Sequence, residues 1–144
     1  MKIRKTFSEE VINLEIITNN PLVKEKLLQK AERPDRVKNI TFLSDCDYIG
    51  VLHNVRNLVH SGYKILTHPL YGSVKPNETP YRTIFVEPGT GLDMDSLKLI
   101  ESAIQTVETF QKNYKTPVWD EKVTDDFQVV DLDLIAHTLN GIKF

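Results

Sequence analysis

The sequence predicts an α/β fold: a small three-layer α/β/α domain built on a mainly parallel four-stranded sheet. Three observations carry that expectation. Short runs rich in β-branched residues alternate with segments whose apolar residues recur at helical spacing. Proline, glycine and capping side chains fall at the joints between them. The chain has 144 residues, 40% hydrophobic and 26% charged, which suits one domain with one ordinary core. Residues 1–144 are therefore read as a single domain, with 1–10 as a loose N-terminal tail.

Residues 11–18, Val-Ile-Asn-Leu-Glu-Ile-Ile-Thr, form the first expected strand. Asn20 suits a helix N-cap, and Pro21 suits the first helical position, where a missing N–H costs nothing. That helix is expected to run to about residue 31, with Val23, Leu27 and Ala31 on one stripe; Pro34 forbids its continuation. Residues 39–44 read as the second strand. Asp45-Cys46-Asp47 can cap a helix reaching about Ser61, in which Tyr48, Val51, Leu52, Val55, Leu58 and Val59 have helical spacing. Gly62 suits the position just past its end. Residues 63–67 and 83–87 are the third and fourth strands. The stretch between them need not be a full crossover, which leaves the fourth strand free to run antiparallel. A long helix covers about residues 93–113, with Leu97, Ile100, Ile104 and Val107 on one face. Residues 114–130 show no clear period. The last helix, marked by Leu132, Ile135, Ala136 and Leu139, has Asp131 as its expected cap and Asn140-Gly141 as its expected end. The order β-α-β-α-β-loop-β-α-α is Rossmann- or flavodoxin-like in outline.

Residues 68–82 break the rhythm. They hold Gly72 and three of the chain's seven prolines, Pro69, Pro76 and Pro80. Long loops in compact domains tend to carry function, and prolines reduce the entropy lost in ordering one. In open α/β sheets ligands gather beyond the carboxyl ends of the strands. The residues after the first three strands are Asn19-Asn20, Asp45-Cys46 and His68-Pro69, which a parallel sheet puts on the edge where the loop begins. The candidate ligand-binding set is Asn19, Asn20, Thr67, His68, Ser73, Lys75, Asn77, Glu78, Thr79, Tyr81 and Arg82. Lys75 and Arg82 suit a carboxylate or phosphate, and the helix start after Asn20 offers free N–H groups. The bland alternative is a rigid loop whose polar groups bond its own backbone. In an enzyme, His68 is the candidate general acid or base and Glu78 its partner carboxylate, although a histidine in such a loop more often braces it.

Other chemistries find little support. The formal charge, 18 − 20 = −2, gives no electrostatic reason to bind nucleic acid or an anionic membrane. The lone Cys46 permits no intrachain disulfide and no zinc site of the cysteine type. A small apolar role in the core suits it better than reactivity, because Asp45 and Asp47 oppose thiolate formation. His53 and His60 share a helix face but stand about 10 Å apart, too far for one small ion. Gly89-Thr-Gly91 is too short for a dinucleotide fingerprint. No metal or cofactor is expected. The basic stretch Lys24, Lys26, Lys30, Arg33, Arg36 and Lys38 is interrupted by acids and reads as a solvated face; Asp120, Glu121, Asp125, Asp126, Asp131 and Asp133 give the opposite bias. The basic N-terminus lacks the apolar stretch of a signal peptide, and no apolar run approaches the ~20 residues of a membrane span. A cytoplasmic protein is the expectation.

Two blocks of sequence look familiar. Ile-Ile-Thr-Asn-Asn-Pro-Leu-Val at 16–23 and Leu-Thr-His-Pro-Leu-Tyr-Gly-Ser-Val-Lys-Pro-Asn-Glu-Thr-Pro-Tyr-Arg-Thr-Ile at 66–84 resemble the GrdX family. The resemblance runs from about residue 11 to the C-terminus. GrdX proteins are encoded beside the glycine, sarcosine and betaine reductase genes of anaerobic bacteria that ferment amino acids; those reductases are selenoprotein systems that yield acetyl phosphate. The resemblance implies an accessory or regulatory protein in that setting, and it carries over no catalytic residues. Such a protein would bind a reductase component or a small anionic ligand through residues 67–82. The competing reading is a small enzyme acting on a carboxylate or acyl phosphate, with Lys75 and Arg82 holding the anion.

Overall fold

The computed structural model describes residues 13–29, 35–72 and 74–141, so the expected tail at 1–10 and Ser73 lie outside the described residues. The elements are β1 (Leu14–Thr18), α1 (Pro21–Leu28), β2 (Val37–Phe42), α2 (Tyr48–His60), β3 (Lys64–Ile65), β4 (Thr83–Glu87), α3 (Met94–Asn113) and α4 (Glu121–Gly141). The strand order is β2-β1-β4-β3.

The sheet is mixed, which corrects the expectation of a mainly parallel one. β1 and β2 pair in parallel, whereas β4 runs antiparallel to both β1 and β3. The reason lies in the connections. Parallel neighbours need a crossover, usually helical, to carry the chain back to the starting edge. α1 supplies that crossover between β1 and β2. Among the described residues of 66–82 no helix intervenes, and the chain leaves β3 and re-enters β4 at the same edge. Two antiparallel steps, β1 to β4 and β4 to β3, restore the original direction. β1, β2 and β3 therefore still end on one edge, and β4 begins there.

Alternation along the strands divides the core into two layers. Ile17, Ile84 and Val86 face α2 and α3, packing with Val51, Leu52, Val55, Ile100, Ala103, Ile104 and Val107. Leu14, Ile16 and Phe85 face α1 and α4, packing with Val23, Leu27, Ile135 and Leu139. Each fully buried large apolar side chain contributes about 1.5–3 kcal/mol. The layers are thus helix, sheet, helix, as the sequence predicts.

Capping side chains fix the helix starts. Asn20 Oδ1 accepts from Leu22 N at 2.9 Å, Asp47 Oδ1 from Gly50 N at 2.9 Å and Asp93 Oδ2 from Ser96 N at 3.0 Å. α2 ends at Gly62, whose φ of 105° favours glycine, while Tyr63 N closes the turn onto Leu58 O at 3.0 Å. α4 differs from expectation. It begins a full ten residues before Asp131, and Asp120 caps it, Oδ1 accepting from Val123 N at 2.9 Å. Asp131 is therefore no cap; it lies inside the helix on its buried stripe, 4% exposed.

Candidate functional site

The edge where β1–β3 end and β4 begins is closed by a buried polar latch. Asn19, 5% exposed, ties three segments together: Nδ2 donates to Cys46 O at 2.9 Å and to Pro80 O at 2.8 Å, and Oδ1 accepts from Arg82 N at 2.9 Å. Beside it runs a closed cycle. Asn20 N donates to Thr18 Oγ1 at 3.0 Å, Thr18 and Thr83 hydroxyls meet at 2.7 Å, and Thr83 Oγ1 donates to Asp131 Oδ2 at 2.7 Å. A hydroxyl has one proton, and that of Thr83 goes to Asp131, so Thr18 is the donor in the middle bond. Asn20 Nδ2 completes the cycle by donating to Asp131 Oδ2 at 3.0 Å. Two arms thus run from Asn20 to the Asp131 carboxylate, and along the longer one each hydroxyl accepts one bond and donates the next, so those bonds reinforce one another.

Arg82 clamps the start of the loop. Its Nη1 donates to Tyr71 O at 2.7 Å and Pro69 O at 3.3 Å, and the guanidinium carbon sits 5.3 Å from the centre of the Tyr48 ring. Tyr48 Oη donates to the same Pro69 carbonyl at 3.2 Å. Burial pushes the Tyr48 phenol above the usual tyrosine range; Arg82 pulls it down and Asp131 adds to the rise. Arg82 and Asp131 line one small cavity of about 10 Å³ with Thr67, His68 and Thr138. Arg82 Nε is buried without a hydrogen-bond partner.

The far half of the loop meets the α3–α4 connector, residues 114–120. Asn77 Nδ2 donates to Tyr114 O at 3.0 Å, Trp119 Nε1 to Glu78 O at 2.7 Å and Gln111 Nε2 to Pro76 O at 3.3 Å. Gln111 also holds Thr116 Oγ1 at 2.9 Å, and Gln128 Nε2 donates to Tyr81 Oη at 2.9 Å. These bonds frame an open cleft of about 450 Å³. Lys75, Asn77 and Glu78 form one side; Phe110, Asn113, Tyr114, Lys115, Pro117 and Trp119 form the other. Neither Lys75 nor Lys115 belongs to an ion pair among the described residues. A second cavity of about 480 Å³, lined by Tyr48, Ile49, Pro80 and Thr116, shares Lys115 with the first.

The predicted site residues divide between these regions. Asn19, Asn20, Thr79 and Arg82 are buried and bonded internally. Thr67 Oγ1 accepts from Phe85 N at 3.0 Å, extending the β3–β4 pairing. His68 Nδ1 accepts from Leu70 N at 3.0 Å and so braces the loop. Lys75, Asn77 and Glu78 reach the cleft, whereas His68 and Arg82 line the small cavity. Lys75 is therefore not brought together with Arg82, nor His68 with Glu78. Tyr81 receives its bond from α4, and Ser73 is outside the described residues.

Sequence reasoning missed the whole far wall of the cleft. The connector has neither helical nor strand period, but Tyr114, Lys115 and Trp119 close together in an aperiodic stretch were a readable signal. It also missed Asp131, whose place among Phe127, Leu134, Ile135 and Thr138 follows helical spacing.

Among the described residues no three His, Cys, Asp or Glu side chains gather to hold a metal, and no helix is long and apolar enough to cross a membrane. No curated protein and no solved structure matches the chain. The sequence model of the family described as GrdX-like protein matches residues 15–140, and the chain belongs to that family.

Proposed function

We propose that this GrdX-like chain is a cytoplasmic accessory protein of glycine, sarcosine or betaine reductase that binds a small anionic ligand in the cleft between residues 75–78 and 110–119. The observation that carries the binding half is the cleft itself: about 450 Å³, mainly apolar walls, and two lysines, one from the loop and one from the connector, without ion-pair partners among the described residues. Its net lining charge, two lysines against Glu78, is positive. The reductase setting comes from the resemblance of the family. A binding role is favoured over catalysis because His68 and Glu78 line different cavities and His68 Nδ1 is occupied by a backbone N–H.

The test is a thermal-shift panel of glycine, sarcosine, betaine, phosphate, acetyl phosphate, nucleotides and flavins. A ligand at one hundred times its Kd adds about 2.7 kcal/mol of stability. The expected result is a selective shift that Lys75→Ala and Lys115→Ala abolish. No shift with any compound would reject the ligand reading.

A protein partner is the second reading, and one observation favours it. Tyr114 is 76% exposed and Val118 fully so, leaving apolar surface beside the cleft. Pull-down from an extract of glycine-fermenting cells would then recover a reductase component, and Val118→Asp would abolish the recovery.

A further inference from the structure

The walls of the cleft say more about the ligand than its charge. Three aromatic side chains, Phe110, Tyr114 and Trp119, line one cleft together with Pro117. Two of the three count among the exposed large apolar side chains of the described residues, Phe110 at 36% and Tyr114 at 76%. Exposed rings are ordinary singly; grouped in a concave wall they are surface that a flat apolar partner would cover. The connector that carries Tyr114 and Trp119 is held to the loop by the Tyr114 carbonyl and the Trp119 indole N–H, so the wall is positioned before anything binds.

Size points the same way. A cleft of about 450 Å³ falls in the range of pockets that take ligands of drug size. An amino acid of glycine size would touch one corner and leave the rings wet. An anion bearing an aromatic ring would reach both features at once, with the ring on Tyr114 and Trp119 and the charge near Lys75 and Lys115.

Resting on the anion-binding reading above, we infer that the ligand is an organic anion carrying an aromatic ring, of about the size of a mononucleotide. Stacking on an aromatic side chain is sequence-tolerant and worth about 1–3 kcal/mol per base, close to tenfold or more in affinity. The Glu78 carboxylate on the same rim opposes the anion and sets a limit on the charge tolerated.

Trp119 is the chain's single tryptophan, so its fluorescence reports directly on the cleft. Titrations would use adenosine monophosphate, adenosine, ribose 5-phosphate and inorganic phosphate on the full chain. The expected result is that the ring-bearing phosphate binds at least about tenfold tighter than either adenosine or ribose 5-phosphate. Tyr114→Ala, at an exposed position that folding does not need, lowers affinity for adenosine monophosphate and leaves that for ribose 5-phosphate unchanged. Lys75→Ala and Lys115→Ala lower both, and Glu78→Gln raises both. Ribose 5-phosphate or phosphate binding as tightly as adenosine monophosphate would overturn the ring inference while the anion site stands. Adenosine binding as tightly as its phosphate would overturn the anion site, and with it the inference of an anionic ligand, while no response to any of the four would overturn both.

Discussion

The latch and the cleft lie at the same sheet edge and are built from the same loop, yet their chemistry is opposite. In the latch, Asn19, Asn20, Thr18, Thr83, Arg82 and Asp131 are each at most 5% exposed, and apart from Arg82 Nε their bonded polar groups are spent on one another and on nearby backbone. In the cleft, Lys75, Glu78, Tyr114 and Lys115 are exposed and their side chains are unspent. A polar side chain that has found its partners inside the protein has little left to offer a ligand. The loop thus uses most of its described polar side chains to hold its shape and leaves Lys75 and Glu78 to face solvent, and polarity alone does not say which is which.

Substitutions can test that division. Asn19→Ala should cost most, roughly 3–5 kcal/mol, because it strands two carbonyls and one N–H in partly buried surroundings. Urea unfolding should show a lower midpoint with an unchanged slope; a midpoint within the error of the parent protein would mean that the latch is dispensable. Thr83→Val should cost about 1–2 kcal/mol, since the shape is kept but Asp131 loses a donor and Thr18 its acceptor.

Tyr48→Phe sharpens the comparison through pH. Burial raises the folded-state phenol above its unfolded value, so the neutral phenol favours the folded state. Its contribution is full below the unfolded value, near 10, and is lost as pH rises from there through the folded value. The parent should lose stability on the alkaline side more steeply than Tyr48→Phe, while the variant loses about 1 kcal/mol at neutral pH with its bond to Pro69 O. Parallel alkaline curves would show that the phenol is not the group concerned.

The smallest effect belongs to the cleft. Trp119→Phe keeps a ring against Phe127, 5.8 Å away in the parent, but removes the donor to Glu78 O. Global stability should change by less than about 1 kcal/mol, because Glu78 is exposed and water can replace the bond. Amide exchange over residues 114–120 should nonetheless quicken. Unchanged exchange there would show that the indole does not hold the connector.

The elements with a strong period were legible. α2 and α3 appear almost as the spacing of Val51, Val55 and Val59 and of Ile100, Ile104 and Val107 requires, and Asn20, Asp47 and Asp93 cap helices as their types suggest. Strand direction was less so: Thr83, Ile84, Phe85, Val86 and Glu87 read as a strand whichever way they run, and no residue encodes the pairing partner. The start of α4 was missed because Asp125, Asp126 and Asp131 disguise its apolar stripe. The loop was singled out correctly as unusual, but Lys75 and Arg82, seven positions apart by 82 − 75, go to different cavities.

By itself, the sequence determined what depends on neighbours along the chain: helical stripes, caps, breakers, the α/β class and the family. Tertiary structure alone decided what depends on distant segments meeting. It set β4 against both β1 and β3, buried Asp131 beneath Thr83 and Asn20, and brought the aperiodic 114–120 connector across the loop to make the cleft. The physical reason is the same in each case. A cap or a stripe is satisfied within a few residues, whereas a buried carboxylate or a cleft wall takes its energy from partners that the chain brings near only when it folds.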